Sequence, residues 1–189
     1  GYTDFTLGFD TAVNTVLWAI NSLRDTMHAH DRVSVLQVMG RHCGDIALYS
    51  AITGGAEYVL VPEVPYDIEE IAKSLKKTKV KGKTSNMIVF AEGAGDSKAF
   101  MDKLQELTDM DIKYTSLGHI QRGGSPSMRD RLLAVKWGIH AVELLRDGKD
   151  CIATGIKGDS IVDVPFEDVF NVKKVFDIEL YNKLKLLTY

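Results

Sequence analysis

The sequence predicts an α/β protein in which a mostly parallel sheet lies between two layers of helices. Short apolar runs rich in β-branched residues alternate with longer stretches in which apolar residues recur every three or four positions. The first pattern is typical of strands buried in a parallel sheet, and the second is typical of amphipathic helices. Their alternation along the whole chain favours a three-layered αβα fold of the Rossmann-like type.

The composition narrows the class of protein. The chain has 189 residues, of which 45% are hydrophobic and 26% charged, and its formal net charge is -3. These values are typical of an ordinary globular domain and give no reason to expect nucleic acid as a partner. No apolar run approaches the ~20 residues of a transmembrane helix, so no membrane partner is predicted. Cys43 and Cys151 lack metal-ligand spacing, which favours a reduced, cytoplasmic protein without a bound metal.

The first half of the chain contains three predicted helices and two predicted strands. Val13, Val16 and Ile20 lie three or four positions apart and mark the apolar face of the first helix. Gly54 and Gly55 separate the second helix from the strand that follows it. In chain order we predict a helix from residue 9 to about 25–28, a strand at 33–39, a helix at 44–53, a strand at 58–62 and a helix at 67–77.

The second half repeats the alternation and ends in shorter elements. Ser125 is in position to cap the long helix of this half, and Pro126 suits its first turn. In chain order we predict a strand at 86–91, a helix at 97–107, a strand at 112–117 and the long helix at 127–147. A strand at 151–156 follows, residues 160–163 either pair with it or cap the sheet, and 165–169 and 177–187 are short helical segments.

One predicted loop carries the densest set of chemically useful residues. It runs from Leu117 to Pro126 with the sequence Leu-Gly-His-Ile-Gln-Arg-Gly-Gly-Ser-Pro. In open α/β sheets ligands bind at the carboxyl ends of strands, and the N-termini of helices attract anions. Because the loop joins a strand to a helix and contains His119 and Arg122, we predict a site for a phosphorylated or carboxylated ligand. Gly93-x-Gly95 after another strand lacks the third glycine of a dinucleotide fingerprint, and we reject that reading.

Three motifs in this sequence resemble those of the phosphofructokinase family. The loop, followed by Asp130 and Arg131, is similar to the family's fructose 6-phosphate loop. Thr3-Asp-x-Thr-x-Gly-Phe-x-Thr-Ala12 and Val38-Met-Gly-Arg-x-x-Gly44 agree with two further blocks, in the family's order and spacing. The resemblance runs from Gly1 to about Leu187 and identifies the chain as a member of that family, similar to its compact bacterial enzymes.

The resemblance implies a sugar-phosphate site. Arg41 is expected near the transferring phosphoryl group, as the catalytic cation of this chain, and Glu92 is expected to accept hydrogen bonds from sugar hydroxyls. Arg32 and Lys113 are expected to reach the 6-phosphate of a neighbouring subunit. At position 113 the family usually has an arginine, and the ammonium group of lysine lacks the planar, bidentate geometry of a guanidinium group. The complete set of implied substrate-binding residues is Arg32, Met39, Gly40, Arg41, Glu92, Lys113, His119, Ile120, Gln121 and Arg122.

The resemblance also implies an allosteric nucleotide site. From the residues alone, Arg24 is a cation well placed at a helix C-terminus, and the six lysines between 73 and 83 are a solvated basic face. A polyphosphate is nevertheless attracted to such a basic cluster. The residues implied for an ADP-like effector are Arg24, Gly55, Ala56, Glu57, Lys81, Lys83, Thr84 and Ser85.

The implied enzyme is a glycolytic kinase that forms fructose 1,6-bisphosphate from fructose 6-phosphate and ATP. Residues 1–8 and 121–172 are expected in a partial nucleotide lobe, 9–120 in the fructose 6-phosphate and effector lobe, and 173–189 in a segment that returns to that lobe. A homotetramer is expected, as are ATP and Mg²⁺, whose ligands in the family lie mostly in a part preceding Gly1. The family's phosphate loop and catalytic base are not found among these residues, so the 189 residues alone are expected to be inactive. A pyrophosphate-dependent enzyme and a non-catalytic sugar-phosphate or effector-binding subunit remain as alternatives.

Overall fold

The chain forms two compact units. A computed structural model describes residues 1–27, 32–83 and 85–187. One unit contains Gly1–Thr11 and Gly124–Phe176, and the other contains Ala12–Gly123 and Asp177–Tyr189. We call them the smaller and the larger unit.

The larger unit is built on a four-stranded sheet in which all strands are parallel. Its strands are β1 (Arg32–Val38), β2 (Tyr58–Leu60), β3 (Ser85–Ala91) and β4 (Asp111–Ser116). They lie in the order β2-β3-β1-β4. Val38 lies opposite Ala91, and Gln37 lies opposite Ser116. The residues that follow β1, β3 and β4 therefore emerge at one edge of the sheet, which we call the carboxyl edge.

Helices cover both faces of this sheet, which confirms the predicted three-layered α/β fold. The helices are α1 (Phe9–Met27), α2 (Asp45–Thr53), α3 (Ile68–Val80), α4 (Ser97–Thr108) and α7 (Ile178–Leu187). Buried residues of β1 and β3 form one apolar core with residues of α3 and α4, among them Val35, Phe90, Leu75 and Leu104. Because side chains alternate along a strand, Leu36 and Val89 point to the other face, where α2 packs.

The smaller unit has a two-stranded antiparallel sheet and one long helix. Its strands are β5 (Ile152–Lys157) and β6 (Ser160–Pro165), which confirms the pairing alternative of the prediction. Its helices are α5 (Met128–Arg146) and the short α6 (Phe166–Val169). The carboxylate of Asp130, which is only 4% exposed, accepts hydrogen bonds from Gly8 N at 2.9 Å, Thr11 N at 2.8 Å and Thr11 Oγ1. One buried side chain in α5 thus holds the first residues of the chain.

The predicted cap of α5 was wrong by two residues. The helix begins after Ser127, whose Oγ accepts a hydrogen bond from Asp130 N at 3.2 Å, whereas Ser125 lies outside the helix. Pro126 precedes the cap and is not in the first turn. Ser127 N also donates to Thr11 Oγ1 at 3.0 Å, so a residue far away in the sequence helps to determine where the helix starts.

Two short 3₁₀ turns were not predicted, namely Glu92–Ala94 after β3 and Gly118–Arg122 after β4. Each is too short for an apolar period to show in the sequence. No helix in the described part of the chain is long and apolar enough to cross a membrane.

Candidate functional site

Residues from three strand ends meet at the carboxyl edge of the larger unit. Met39, Gly40 and Arg41 follow β1, Glu92 follows β3, and the 3₁₀ turn Gly118–Arg122 comes one residue after β4. β1 lies between β3 and β4, so its loop has a neighbour on either side. The sheet order therefore brings together segments that lie far apart in the sequence.

Glu92 joins the loops that follow β1 and β3. Its Oε1 atom accepts hydrogen bonds from the backbone N–H groups of Gly40 at 3.1 Å and of Arg41 at 2.8 Å. These two bonds are the main reason that the pKa of Glu92 lies below its ordinary value, and the nearby charges of Arg122 and Arg41 lower it further. Glu92 is thus ionised at neutral pH and lies close to both arginines.

Gln121 joins the loop that follows β1 to the turn that follows β4. Its side chain is only 1% exposed, and its Oε1 atom accepts a hydrogen bond from Met39 N at 3.0 Å. Two side chains, Glu92 and Gln121, therefore bind three consecutive backbone N–H groups of the same loop. These hydrogen bonds hold the loop that follows β1 between the segments that follow β3 and β4.

Arg41 has a backbone conformation that is uncommon for a residue with a side chain. Its φ angle is 51°, in the left-handed region. A Cβ atom built on Gly93 would lie 1.6 Å from the Arg41 carbonyl oxygen, so only glycine fits at position 93. The backbone of Gly93 therefore packs directly against Arg41 and supports its strained conformation.

Gly93 and Glu63 are site residues that the sequence analysis did not assign. The carboxylate of Glu63 accepts hydrogen bonds from Gly44 N at 2.9 and 3.1 Å, next to the loop that contains Arg41. The only feature of the sequence that could have indicated Gly93 as a site residue is its position in a Glu-Gly pair directly after a predicted strand. No local pattern indicates the role of Glu63, because its partner lies 19 residues away.

The exposed side of this edge is rich in cations. Arg41, His119 and Arg122 are exposed, Ile120 is 66% exposed, and Glu92 is half-buried. Oε1 of Glu92 is occupied by backbone donors, while Oε2 has no protein donor within the described part of the chain. Two guanidinium groups and one open carboxylate oxygen form a set that suits a ligand with both a phosphate and hydroxyl groups.

Arg32 and Lys113 lie away from this cluster. Both form ion pairs with Asp111, from Arg32 Nε at 2.8 Å and from Lys113 Nζ at 2.8 Å. Arg32 begins β1 and Met39 follows its end, so seven residues of extended chain place them roughly 23 Å apart. Lys113 lies on β4 opposite Ser34 of β1, and its ion pair with Asp111 directs its ammonium group toward the end of the sheet where Arg32 lies.

A second group contains most of the residues implied for an effector. Arg24 donates from Nη2 to the carbonyl oxygen of Gly55, whose φ angle is 65°. The carboxylate of Glu57 pairs with Lys83 Nζ at 2.8 Å and accepts a hydrogen bond from Met87 N at 2.6 Å. Ala56, between Gly55 and Glu57 in the sequence, is buried. Ser85 begins β3, and Thr84 lies outside the described residues.

A cavity of about 490 Å³ extends from this second group along α3. Glu57, Lys81 and Lys83 line it together with apolar residues of β2 and α3 and with Tyr66 and Tyr181. Burial raises the pKa of both tyrosines, and the charge of Asp96 raises that of Tyr66 further. The volume is in the range of small-molecule sites, ~300–1,000 Å³.

These features define the class of the protein. A parallel α/β unit with polar side chains gathered at the carboxyl edge of its sheet is typical of open α/β proteins that bind small ligands at that edge. The family model described as phosphofructokinase matches residues 1–145. The chain therefore belongs to the phosphofructokinase family.

Individual relatives support this assignment. The chain is 50% identical over 188 residues to the ATP-dependent 6-phosphofructokinase of Clostridium novyi (strain NT) and 48% identical over 187 residues to that of Clostridioides difficile (strain 630). It spans 59% of the length of each of these relatives. The phosphofructokinase structure from Saccharomyces cerevisiae matches 99% of this chain and 26% of its own, with a TM-score of 0.84 and 28% identity.

Proposed function

We propose that the carboxyl-edge cluster is the fructose 6-phosphate site of an ATP-dependent 6-phosphofructokinase. Such an enzyme transfers a phosphoryl group from ATP to the 1-hydroxyl of fructose 6-phosphate and gives fructose 1,6-bisphosphate. The observation that carries the proposal is the position of Glu92, which binds the backbone of Gly40 and Arg41 and lies close to Arg122. The names of the bacterial relatives favour ATP over pyrophosphate as the donor.

Each residue of the cluster has a distinct role in this proposal. Arg41 stabilises negative charge on the transferring phosphoryl group and is the catalytic residue. Oε2 of Glu92 accepts hydrogen bonds from sugar hydroxyls, while Oε1 keeps the loop of Arg41 in place. His119 and Arg122 contact the sugar phosphate from the 3₁₀ turn, and the backbone and side chains of Met39, Gly40, Ile120 and Gln121 shape the site.

Arg32 and Lys113 act on a different copy of the site. Because Arg32 begins β1 and Lys113 of β4 shares its partner Asp111, we assign both cations to the 6-phosphate held by a neighbouring subunit of a homotetramer. Asp111 holds the two cations side by side, at 2.8 Å from each. A lysine contributes a point charge without the bidentate geometry of arginine, so Arg32 provides the directional contacts.

The second group is proposed to bind a nucleotide of the ADP type. Lys81 and Lys83 lie at the cavity next to Glu57, and Arg24 holds Gly55 nearby. The positive charges suit the phosphates of the nucleotide, and the apolar part of the cavity that the tyrosines line suits its planar base. Ala56 and Ser85 complete this site from the backbone.

The cofactors and the lobes are also proposals. We assign the larger unit to the fructose 6-phosphate and effector lobe and the smaller unit to the nucleotide lobe of a cytoplasmic glycolytic enzyme. Among the described residues, no three His, Cys, Asp or Glu side chains converge into a metal site. We assign no residue of this chain to Mg²⁺, and a coupled assay of the 189 residues alone is expected to give no turnover.

Calorimetric titration with fructose 6-phosphate tests the proposal. Arg122→Ala removes a charged donor and is expected to weaken binding by about 1.5 to 3 kcal/mol. The matched control is Arg146→Ala, because the Arg146 side chain is 71% exposed in the smaller unit and its loss leaves binding unchanged. Equal affinity of the Arg122→Ala variant and the unmodified chain would refute the assignment.

A further inference from the structure

The carboxylate of Glu63 binds the C-terminal end of the loop that contains Arg41. We call residues 39–44 the Arg41 loop. Glu63 lies in the turn that follows β2, and both of its carboxylate oxygens accept the backbone N–H group of Gly44, at 2.9 and 3.1 Å. Gly44 is the N-cap residue of α2. The bond therefore holds the chain at the point where the loop becomes a helix.

The Arg41 loop is thus held by a carboxylate near each of its ends. Oε1 of Glu92 binds the backbone N–H groups of Gly40 and Arg41, while Glu63 binds the last residue of the loop. Between these two points the backbone N–H group of Cys43 donates to the carbonyl oxygen of Gly40 at 2.9 Å, which closes a turn around Arg41. Because this turn is short and fixed on both sides, a movement of either end changes the direction of the Arg41 side chain.

The backbone of Gly44 packs directly against the segment that contains Glu63. A Cβ atom built on Gly44 would lie 2.4 Å from Cβ of Val61 and 2.7 Å from Oε2 of Glu63. Gly44 is buried, and Val61 is only 1% exposed. Close-packed atoms transmit a displacement instead of absorbing it. The position of the turn after β2 is therefore passed on to the Arg41 loop.

The N-terminus of α2 explains why a carboxylate suits this position. The first backbone N–H groups of a helix have no partner within the helix, and this end carries a partial positive charge. Gly44 has no side chain that could cap α2, and Glu63 supplies both the acceptor and the negative charge. Since a carboxylate occupies this end of the helix, the ligand phosphates are left to the arginines of the cluster.

We infer that Glu63 is a positioning residue that fixes the guanidinium group of Arg41 at the point of phosphoryl transfer. This role rests on the function proposed above for Arg41. Glu63 acts only through the backbone of the loop and does not touch the ligand. Its loss therefore affects the phosphate on C1 of the sugar, which Arg41 contacts, and not the phosphate on C6. Fructose 1,6-bisphosphate has both phosphates, whereas fructose 6-phosphate has only the second.

Calorimetric titration with these two sugar phosphates separates positioning from general damage. Glu63→Ala is expected to weaken the binding of fructose 1,6-bisphosphate about tenfold and that of fructose 6-phosphate by less than about twofold. Glu63→Gln keeps one acceptor oxygen and is expected to stay within about twofold of the unmodified chain for both ligands. Glu106→Ala is the matched control, because that side chain is 69% exposed on α4. Equal losses for both ligands, or no loss for either, would overturn the inference.

The same titration in an Arg41→Ala background tests the route by which Glu63 acts. If Glu63 acts through Arg41, adding Glu63→Ala to this background causes no further loss of affinity for fructose 1,6-bisphosphate, because the group that it positions is absent. A second loss as large as that in the unmodified chain would show that Glu63 acts independently of Arg41, and it would refute the assignment.

Amide hydrogen exchange followed by NMR gives a readout that does not depend on ligand binding. Glu63→Ala is expected to speed exchange at least about tenfold at Arg41 and Cys43, although their own hydrogen-bond acceptors remain in the variant. Faster exchange at Gly44 alone would show a purely local contact and contradict the inference. An unmodified chain that binds neither sugar phosphate would refute the proposed function, and the exchange rates would still decide whether Glu63 fixes the loop.

Discussion

Replacing Glu92 by glutamine separates the charge of this side chain from its shape. The amide oxygen can still accept the hydrogen bonds from the backbone of Gly40 and Arg41. A net hydrogen bond to a charged group contributes about 1.5–3 kcal/mol, against about 0.5–1.5 kcal/mol for a neutral one. Two bonds that each lose about 1 kcal/mol predict that Glu92→Gln lowers the free energy of unfolding by about 2 kcal/mol at pH 7.

The loss of unfolding free energy caused by Glu92→Gln is expected to become smaller as the pH falls. The hydrogen bonds from Arg41 N and Gly40 N and the nearby arginines lower the pKa of Glu92 in the folded state below its ordinary value of 4.5. The stabilisation by the carboxylate is therefore fully present above that value and is lost as the pH falls through the lowered pKa. The variant lacks this carboxylate, so the difference in stability between the unmodified chain and the variant shrinks in acid.

Urea unfolding at several pH values measures both quantities. With a slope of about 2 kcal/mol per molar urea, the variant is expected to unfold at about 1 M lower urea at pH 7. Glu106→Gln is the matched control, because that carboxylate is 69% exposed in a surface ion pair and contributes little. A difference below 0.5 kcal/mol at pH 7, or one that stays constant down to pH 3, would show that Glu92 does not hold the loop as a carboxylate.

Three further substitutions test the supports of the fold. Asp130→Ala leaves two backbone amides without their buried acceptor and is expected to cost about 2–5 kcal/mol in urea unfolding, and a loss below 1 kcal/mol would contradict this. Gly93→Ala forces a methyl group onto a backbone carbonyl and is expected to cost about 1–3 kcal/mol and to weaken fructose 6-phosphate binding in calorimetry. Gly138→Ala is its control, because a Cβ atom there meets nothing within 4 Å and mid-helix alanine is favoured by about 0.5–1 kcal/mol. Ser127→Ala is expected to lose about 1 kcal/mol of stability by thermal unfolding, and Ser125→Ala is expected to lose almost none; the reverse order would reassign the cap.

The elements that were predicted well are those whose signal is local. The helix predicted at 97–107 is α4, Ser97–Thr108, and the strand predicted at 86–91 is β3, Ser85–Ala91. Burial on one face of a helix leaves an apolar period, and burial on both faces of a strand leaves a short continuous apolar run, so a few residues are enough to display either signal. The 3₁₀ turn at Gly118–Arg122 leaves none, because five residues make too few turns to repeat a pattern.

The start of α5 shows a different limit of prediction. Ser125 and Ser127 have the same hydroxyl group, and Pro126 between them is compatible with either cap from the local sequence alone. Ser127 caps the helix because it is also bound to Thr11, which lies 116 residues earlier in the chain. The local sequence is thus compatible with a cap at either serine, and a long-range contact determines which of the two caps the helix.

By itself, the sequence determined the α/β class, the alternation of elements and the residue types of the candidate site. Those properties depend on short-range periodicity and on a motif of ten consecutive residues, Leu117–Pro126. The partners of those residues were decided only by the tertiary structure. Glu92 reaches the backbone of Gly40 and Arg41, 52 and 51 residues earlier, because β1 and β3 are neighbours in the sheet. Arg32 is excluded from the same cluster for the same physical reason, since a strand is extended and its two ends lie at opposite edges of the sheet.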